Sequence, residues 1–286
     1  MPNLREIRRR IRSIKSTARI TKAMEMVSAS KMRRAQQRVL AGRPYAETIR
    51  EVLADVAATI PVSDEGPINP LLAIRPVRRV GLVLVTSDRG LAGGFNANMT
   101  RRAAQFMVDS PVPVSAITVG RKGRDFIIRL GRELRADYSN IGDYPTLLDT
   151  VAISRVVMDD FRAGYVDEVF IGYSKFVNTI VQRPVVEKLL PIEPPPDLDK
   201  TEFIYEPSPE AVLDDLVTRY VEMQVYHAIL ESLASEQSAR MVAMRNATEN
   251  ANEVVADLTL TANKVRQEVI TKELLEIVGG VAALSG

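Results

Sequence analysis

The chain has 286 residues, 46% apolar and 26% charged, with a net charge of +2, enough to bury a core over about two domains. It has no cysteine and a single histidine, His227. That excludes disulfides, thiolate metal sites and cysteine nucleophiles, and argues against a His-rich metal centre or a Ser–His–Asp triad. No long uncharged apolar run marks a transmembrane helix.

The first predicted element is a long helix. From Asn3 to Ala41 there is neither Gly nor Pro, and Leu4, Ile7, Ile11, Ile14 and Ala18 recur at threes and fours, the spacing of one helical face. Ile20, Met24 and Val27 follow out of step, which places a phase slip near Thr17–Ile20. Gly42-Arg43-Pro44 is expected to interrupt the helix, and the pattern resumes at Ile49, Leu53, Val56 and Ile60 until Pro61.

The middle of the chain changes character. Val80–Thr86 is a continuous apolar run, as in a buried parallel strand. A Gly-rich turn, Ser87–Asn96, leads to a helix near Ala97–Val108. A strand at Val114–Gly120, a short helix at Arg124–Leu130, a helix over Thr146–Ala163 and a strand at Glu168–Ser174 come next. Thr179–Leu190 alternates like an edge strand and gives way to the Pro-rich stretch Pro191–Pro196. Alternating strands and helices predict an inserted Rossmann-like α/β domain with a mainly parallel sheet.

The last element is a second long helix. Ser208, Pro209 and Glu210 are an N-cap, a first-position proline and a first-turn acid. No Gly or Pro then occurs before Gly279-Gly280, the expected stop. A 3.5-residue repeat runs from Leu213 through Leu230, Met244 and Val255 to Val269, broken at His227, Gln237 and Thr248. His227 reads as a seam residue that sets register.

Charge follows the same division. Residues 1–60 carry 14 Lys/Arg against 5 Asp/Glu, and residues 207–286 carry 6 against 12. Opposite charges and matching stripes favour an antiparallel coiled coil of the two terminal helices, although charge alone equally allows two separately solvated ends. The resulting division is a helix at 1–60, an α/β domain with linkers at 61–207 and a helix at 208–286.

Tests for chemistry turn up little. The turn Asp88-Arg-Gly-Leu-Ala-Gly-Gly-Phe-Asn96 has neither the G-x-x-x-x-G-K-[ST] cradle nor G-x-G-x-x-G spacing, so its glycines are expected to serve close packing. Asp159-Asp160 and Asp214-Asp215 sit at i, i+1 on helices and should diverge onto solvated faces. No metal-ligand spacing and no cofactor motif is visible. The basic stripe Arg5, Arg8, Arg9, Arg10, Arg12, Lys15 and Arg19 could neutralise phosphates. It lacks interleaved aromatics, so a coiled-coil partner protein is favoured over a nucleic-acid binder.

Four stretches carry a resemblance: Ile20–Met32 (ITKAMEMVSASKM), Asp88–Asn96, Ser235–Asn250 (SEQSARMVAMRNATEN) and Asn263–Glu273 (NKVRQEVITKE). Together, in this order, they resemble the gamma subunit of F-type ATP synthases. Val281 stands where the family commonly has Ala, and Ala92 where many members have Cys. The regulatory insertion of the plant chloroplast form is missing, which implies a bacterial type.

The resemblance implies a non-catalytic central shaft without a cofactor. It would stand inside a ring of alpha and beta subunits, with its α/β domain near the epsilon subunit and the membrane c ring. It also implies a peripheral place on the cytoplasmic face of the plasma membrane, with no membrane insertion and no nucleic acid bound. Lys22, Met24, Arg266 and Gln267 match the contact with the acidic catch loop of beta, with Met24 and Arg266 expected to be neighbours across the coiled coil. Glu236 and Arg240 match coupling residues, and a plain i, i+4 surface pair is the alternative for them. The tip, Val281 and Leu284, would enter an apolar sleeve, and Phe203, Tyr205 and Glu206 would lie near the c ring. A coiled-coil adaptor outside any ATPase remains the competing reading.

Overall fold

The computed structural model describes residues 3–59, 69–193 and 205–284. They form two compact units, Met1–Val27 with Met241–Gly286, and Ser28–Arg240. Two helices run the length of the chain's ends: α1 over Leu4–Thr59 and α5 over Pro209–Leu284.

In the first unit the two helices pair antiparallel. The hydroxyls of Thr21 and Thr248 are 2.7 Å apart, Glu25 faces Arg245, and Leu4 shares a groove with Val265. Numbers therefore rise on one helix as they fall on the other. Met244, Thr248, Ala251, Val255, Leu258, Ala262 and Val265 are all covered, in the predicted 3.5-residue repeat. Gly279 and Gly280 do not stop α5, which continues to Leu284. Glycine disfavours a helix interior by about 1 kcal/mol, and the helix runs through both.

The stripe on α1 corrects the expected phase slip. After Ala18 the buried positions are Thr21 and Glu25, still in step, while Ile20 and Val27 are exposed. In the second unit the same helix buries Ser28, Met32, Ala35, Val39, Ile49, Leu53 and Val56. The heptad spacing is kept, but polar side chains fill three of its positions and hide it from an apolar pattern. Nor does Pro44 break the helix. It is exposed, off the buried stripe, so its missing N–H faces water while the packed face on either side holds the helix together.

The second unit holds a five-stranded sheet of order β3-β2-β1-β4-β5. The strands are β1 (Val80–Val85), β2 (Val114–Val119), β3 (Leu134–Tyr138), β4 (Glu168–Phe176) and β5 (Gln182–Leu190). The first four are parallel and β5 pairs antiparallel at the edge. β3 was not among the expected strands: it is a five-residue edge strand with no buried side chain, so it has no apolar run to announce it.

Helices cover both faces. α2 (Phe95–Asp109) and α3 (Arg121–Arg129) lay Met99, Ala103 and Ile127 on Leu82, Leu84 and Ala116. Across the sheet, α4 (Leu147–Arg162) packs Ile153, Val157 and Phe161 with Val83, Ile117 and Ile171. Leu53 and Val56 of α1 and Leu213, Val217, Val221 and Val225 of α5 complete that core. Val217, Val221 and Val225 lie off the predicted seam. Here α5 buries a second face against the domain, so the coiled-coil repeat alone understates what is covered.

The paired aspartates do diverge, but Asp160 is not solvated. It is buried and receives two guanidinium nitrogens of Arg135. Asp214 accepts from the Asn69 amide at 2.7 Å.

Candidate functional site on the long helices

Four places carry the residues singled out by sequence. On the paired helices, Lys22 donates to Glu25 at 2.9 Å, and Arg245 Nε approaches the other carboxylate oxygen at 3.5 Å. Glu25 is buried while Lys22 and Arg245 are exposed, so one buried carboxylate tethers a cation on each helix and leaves their remaining donors in solvent. Lys15, Arg19 and Lys22 line a groove with Glu249 and Asn252. Met24 is half-buried, and Arg266 and Gln267 are exposed.

Met24 and Arg266 are not neighbours. Met24 lies at the level of Arg245–Thr248, whereas Arg266 adjoins Val265 at the level of Leu4. About twenty residues, roughly 30 Å of helix at ~1.5 Å per residue, separate them. Antiparallel register, which sequence matching does not fix, decides this.

The Glu236–Arg240 pair is a buried feature rather than a surface one. The ion pair is 2.7 Å long, with side-chain exposures of 14% and 10%. Arg240 also donates to the carbonyl of Gly90 at 3.2 Å, so the Gly-rich turn receives a helix cation. Burial holds the Glu236 carboxyl above the usual range, and Asp143 and Asp88 push the same way against Arg240. Beside it lies a cavity of about 50 Å³ at the carboxyl ends of β1 and β2, lined by Thr86, Gly120, Ser232 and Glu236. In an open α/β sheet, ligands bind in that crevice; here α5 covers it, and the space left is far below the ~300 Å³ of a small-molecule site.

The turn's glycines differ. A Cβ at Gly90 would meet nothing within 4 Å, while one at Gly94 would stand 3.2 Å from the Asn98 side-chain nitrogen, and Gly93 adopts φ 53°. Close approach occurs instead at Gly120, where φ is +98° and a Cβ would stand 2.3 Å from the Thr86 carbonyl oxygen. Asp88 ties the turn to its neighbours by accepting from the amides of Arg121 and Asn140. His227, half-buried on α5, has Nε2 3.9 Å from Glu231.

At the third place, the Tyr205 hydroxyl donates to Asp55 of α1, while Glu206 is exposed. Phe203 lies outside the described residues. At the far end of α5, Val281 is exposed and Leu284 closes the helix. Sequence reasoning missed Glu25, Arg245 and Thr21. For Thr21 and Glu25 the signal was available: a hydroxyl and a carboxylate at heptad positions that would otherwise be apolar; exposed Arg245, beside the seam position Met244, has none.

The class is thus an α/β domain inserted between two long helices, one of which covers the crevice at the carboxyl ends of the domain's strands. A family model described as ATP synthase matches residues 3–284. The chain is 57% identical over 288 residues to the ATP synthase gamma chain of Dehalococcoides mccartyi (strain ATCC BAA-2266 / KCTC 15142 / 195), covering 100% of both. It is 52% identical to that of Roseiflexus sp. (strain RS-1), covering 100% of this chain and 99% of the other. Among solved structures, the Tetrahymena thermophila mitochondrial ATP synthase central stalk/c-ring matches 80% of this chain and 99% of that chain, with TM-score 0.61 and 28% identity. A chain of the Euglena gracilis mitochondrial ATP synthase shares the fold, with TM-score 0.72, 22% identity and coverage of 98% and 94%.

The chain belongs to the ATP synthase gamma-chain family. Its role is that of the central shaft, a non-catalytic subunit of a membrane-associated complex. Among the described residues no helix is long and apolar enough to cross a membrane.

Proposed function

We propose that this shaft works as a rotor between a membrane c ring and a ring of alpha and beta subunits, passing ion-driven rotation to the nucleotide sites of beta and back. Residues 1–60 and 208–286 serve as its shaft helices and 61–207 as its foot, on the cytoplasmic face of a bacterial plasma membrane and beside an epsilon subunit. The observation that carries the reading is the antiparallel pairing of two breaker-poor helices, held at Thr21–Thr248 and Glu25–Arg245, in a chain related to gamma chains along its whole length.

A rotor must be long, stiff and asymmetric, and its partner contacts must be breakable at every step. The tethered surface cations Lys22 and Arg245 suit that need, because exposed ion pairs contribute only about 0–1 kcal/mol each. Lys22 and Met24 on one level, and Arg266 and Gln267 on another, meet the acidic loops of beta. Glu236 and Arg240 act in coupling through the Gly-rich turn they hold. Val281 and Leu284 run in the apolar sleeve of the ring, and Phe203, Tyr205 and Glu206 lie towards the c ring. The experiment is co-purification: the tagged chain should bring down alpha and beta subunits with ATPase activity. A chain recovered alone, or bound to DNA in a salt-dependent way, would defeat the proposal.

A further inference from the structure

The sheet leaves one edge unfinished where α5 crosses it. β4 outruns β1: their pairing ends at Leu84 and Gly172, yet β4 continues to Phe176. Beyond that point its backbone finds partners on α5. Buried Glu231 accepts from the Phe176 amide at 2.7 Å, and Ser235 donates to the Ser174 carbonyl at 2.8 Å. One turn on, Ser238 donates to the Thr179 carbonyl in the β4–β5 hairpin at 2.7 Å. Glu231, Ser235 and Ser238 share one face of the helix at i, i+4 and i+7. Arg240, which grips the Gly90 carbonyl at 3.2 Å, points away from that face by roughly 140–200° at about 100° per residue.

Apolar contacts alone let a helix roll in its groove, because they have no preferred direction. Hydrogen bonds weaken steeply off-axis, and bonds on two well-separated faces resist rotation either way. All four also end on main-chain atoms of the domain or its hairpin, so they hold backbone to helix without an intervening flexible side chain on the domain.

We infer that Glu231, Ser235, Ser238 and Arg240 are positioning residues that key α5 to the α/β domain, so that torque entering the domain turns the shaft helix instead of slipping round it. This rests on the rotor reading above. It adds a joint inside the subunit, separate from the surfaces that meet other subunits.

The test uses the whole ATP synthase in membrane vesicles. Ser235→Ala with Ser238→Ala removes two of the bonds and substitutes a strong helix former. ATP hydrolysis by the detached ring and shaft should stay within about twofold of the parent, since that step needs no torque through the domain. Protons pumped per ATP hydrolysed should fall at least about twofold, and amide exchange at Phe176, whose N–H is held by α5 beside the lost bonds, should quicken. Ser235→Thr, which keeps a hydroxyl, should retain coupling, and Glu231→Leu should deepen the loss. If the double variant does not assemble, Ser238→Ala alone decides by the same ratio. Full coupling in a variant that assembles and hydrolyses normally would overturn the keying. A parent chain that forms no ATPase complex at all would instead overturn the rotor reading.

Discussion

The carboxylate of Glu25 on α1 lies 3.5 Å from Nε of Arg245 on α5, with the Thr21–Thr248 hydroxyl pair one turn away. The seam, which sequence marks as broken here only at Thr248, is polar on both helices at this level, with its hydroxyls and carboxylate paired. Glu25→Lys would remove the acceptor and set a third cation between Lys22 and Arg245. It should cost about 3–5 kcal/mol, the penalty of an unpaired buried charge. Arg245→Ala should cost less than about 1 kcal/mol, because that side chain is mostly exposed. Thermal unfolding of the two purified variants checks the order; equal losses would contradict it.

Register makes a second prediction. Because Met24 and Arg266 stand at different levels of the helix pair, Met24→Lys and Arg266→Ala share no contact. Their effects on the rate of ATP-driven proton pumping, each taken as RT ln of the ratio to the parent, should add within about 0.3–0.5 kcal/mol. Recovery of coupling in the double variant would mean that both act on one group of carboxylates, against this geometry.

Glu236 should make stability depend on pH. Burial raises its folded-state value above the ordinary 4.5, so the folded chain keeps a proton that the unfolded chain has already released. Stability from this group is therefore full below the unfolded value and is lost as pH rises through the folded one. Compared with Glu236→Gln, which cannot titrate, the parent should lose stability on going from about pH 4 towards neutrality. Urea unfolding at several pH values measures the difference, and a difference that grows in the parent's favour would show the sign to be wrong.

Two glycines should behave oppositely. Gly120→Ala meets the Thr86 carbonyl oxygen at 2.3 Å and holds φ at +98°, so strain and overpacking together should cost about 3 kcal/mol or more. Gly90→Ala has open space and should stay within about 1 kcal/mol of the parent. Melting temperatures of both variants settle the contrast.

Periodicity and the N-cap signal were enough to read the architecture from sequence: a long helix at each end, an inserted α/β domain, and the N-cap Ser208 before Pro209 where α5 begins, whereas the breakers at Pro44 and Gly279-Gly280 misled. These features are local, because capping, helical period and buried-strand runs depend on neighbours in the chain. Family motifs added which residues to watch.

The rest required tertiary structure. Pro44 could remain helical because the packed face of α1 outweighs one missing hydrogen bond. Thr21 and Glu25 belong to the seam because Thr248 and Arg245 of α5 supply partners to polar groups there. Val217, Val221 and Val225 are core because α5 must satisfy the domain as well as its helical partner. Met24 and Arg266 were parted by register, and Glu236 was taken out of solvent by the carboxyl ends of β1 and β2 and a turn far away in the chain. Sequence thus determined the elements, whose energies are short-range. The burial of their polar groups was decided by contacts between residues tens to more than two hundred positions apart, which no local pattern encodes.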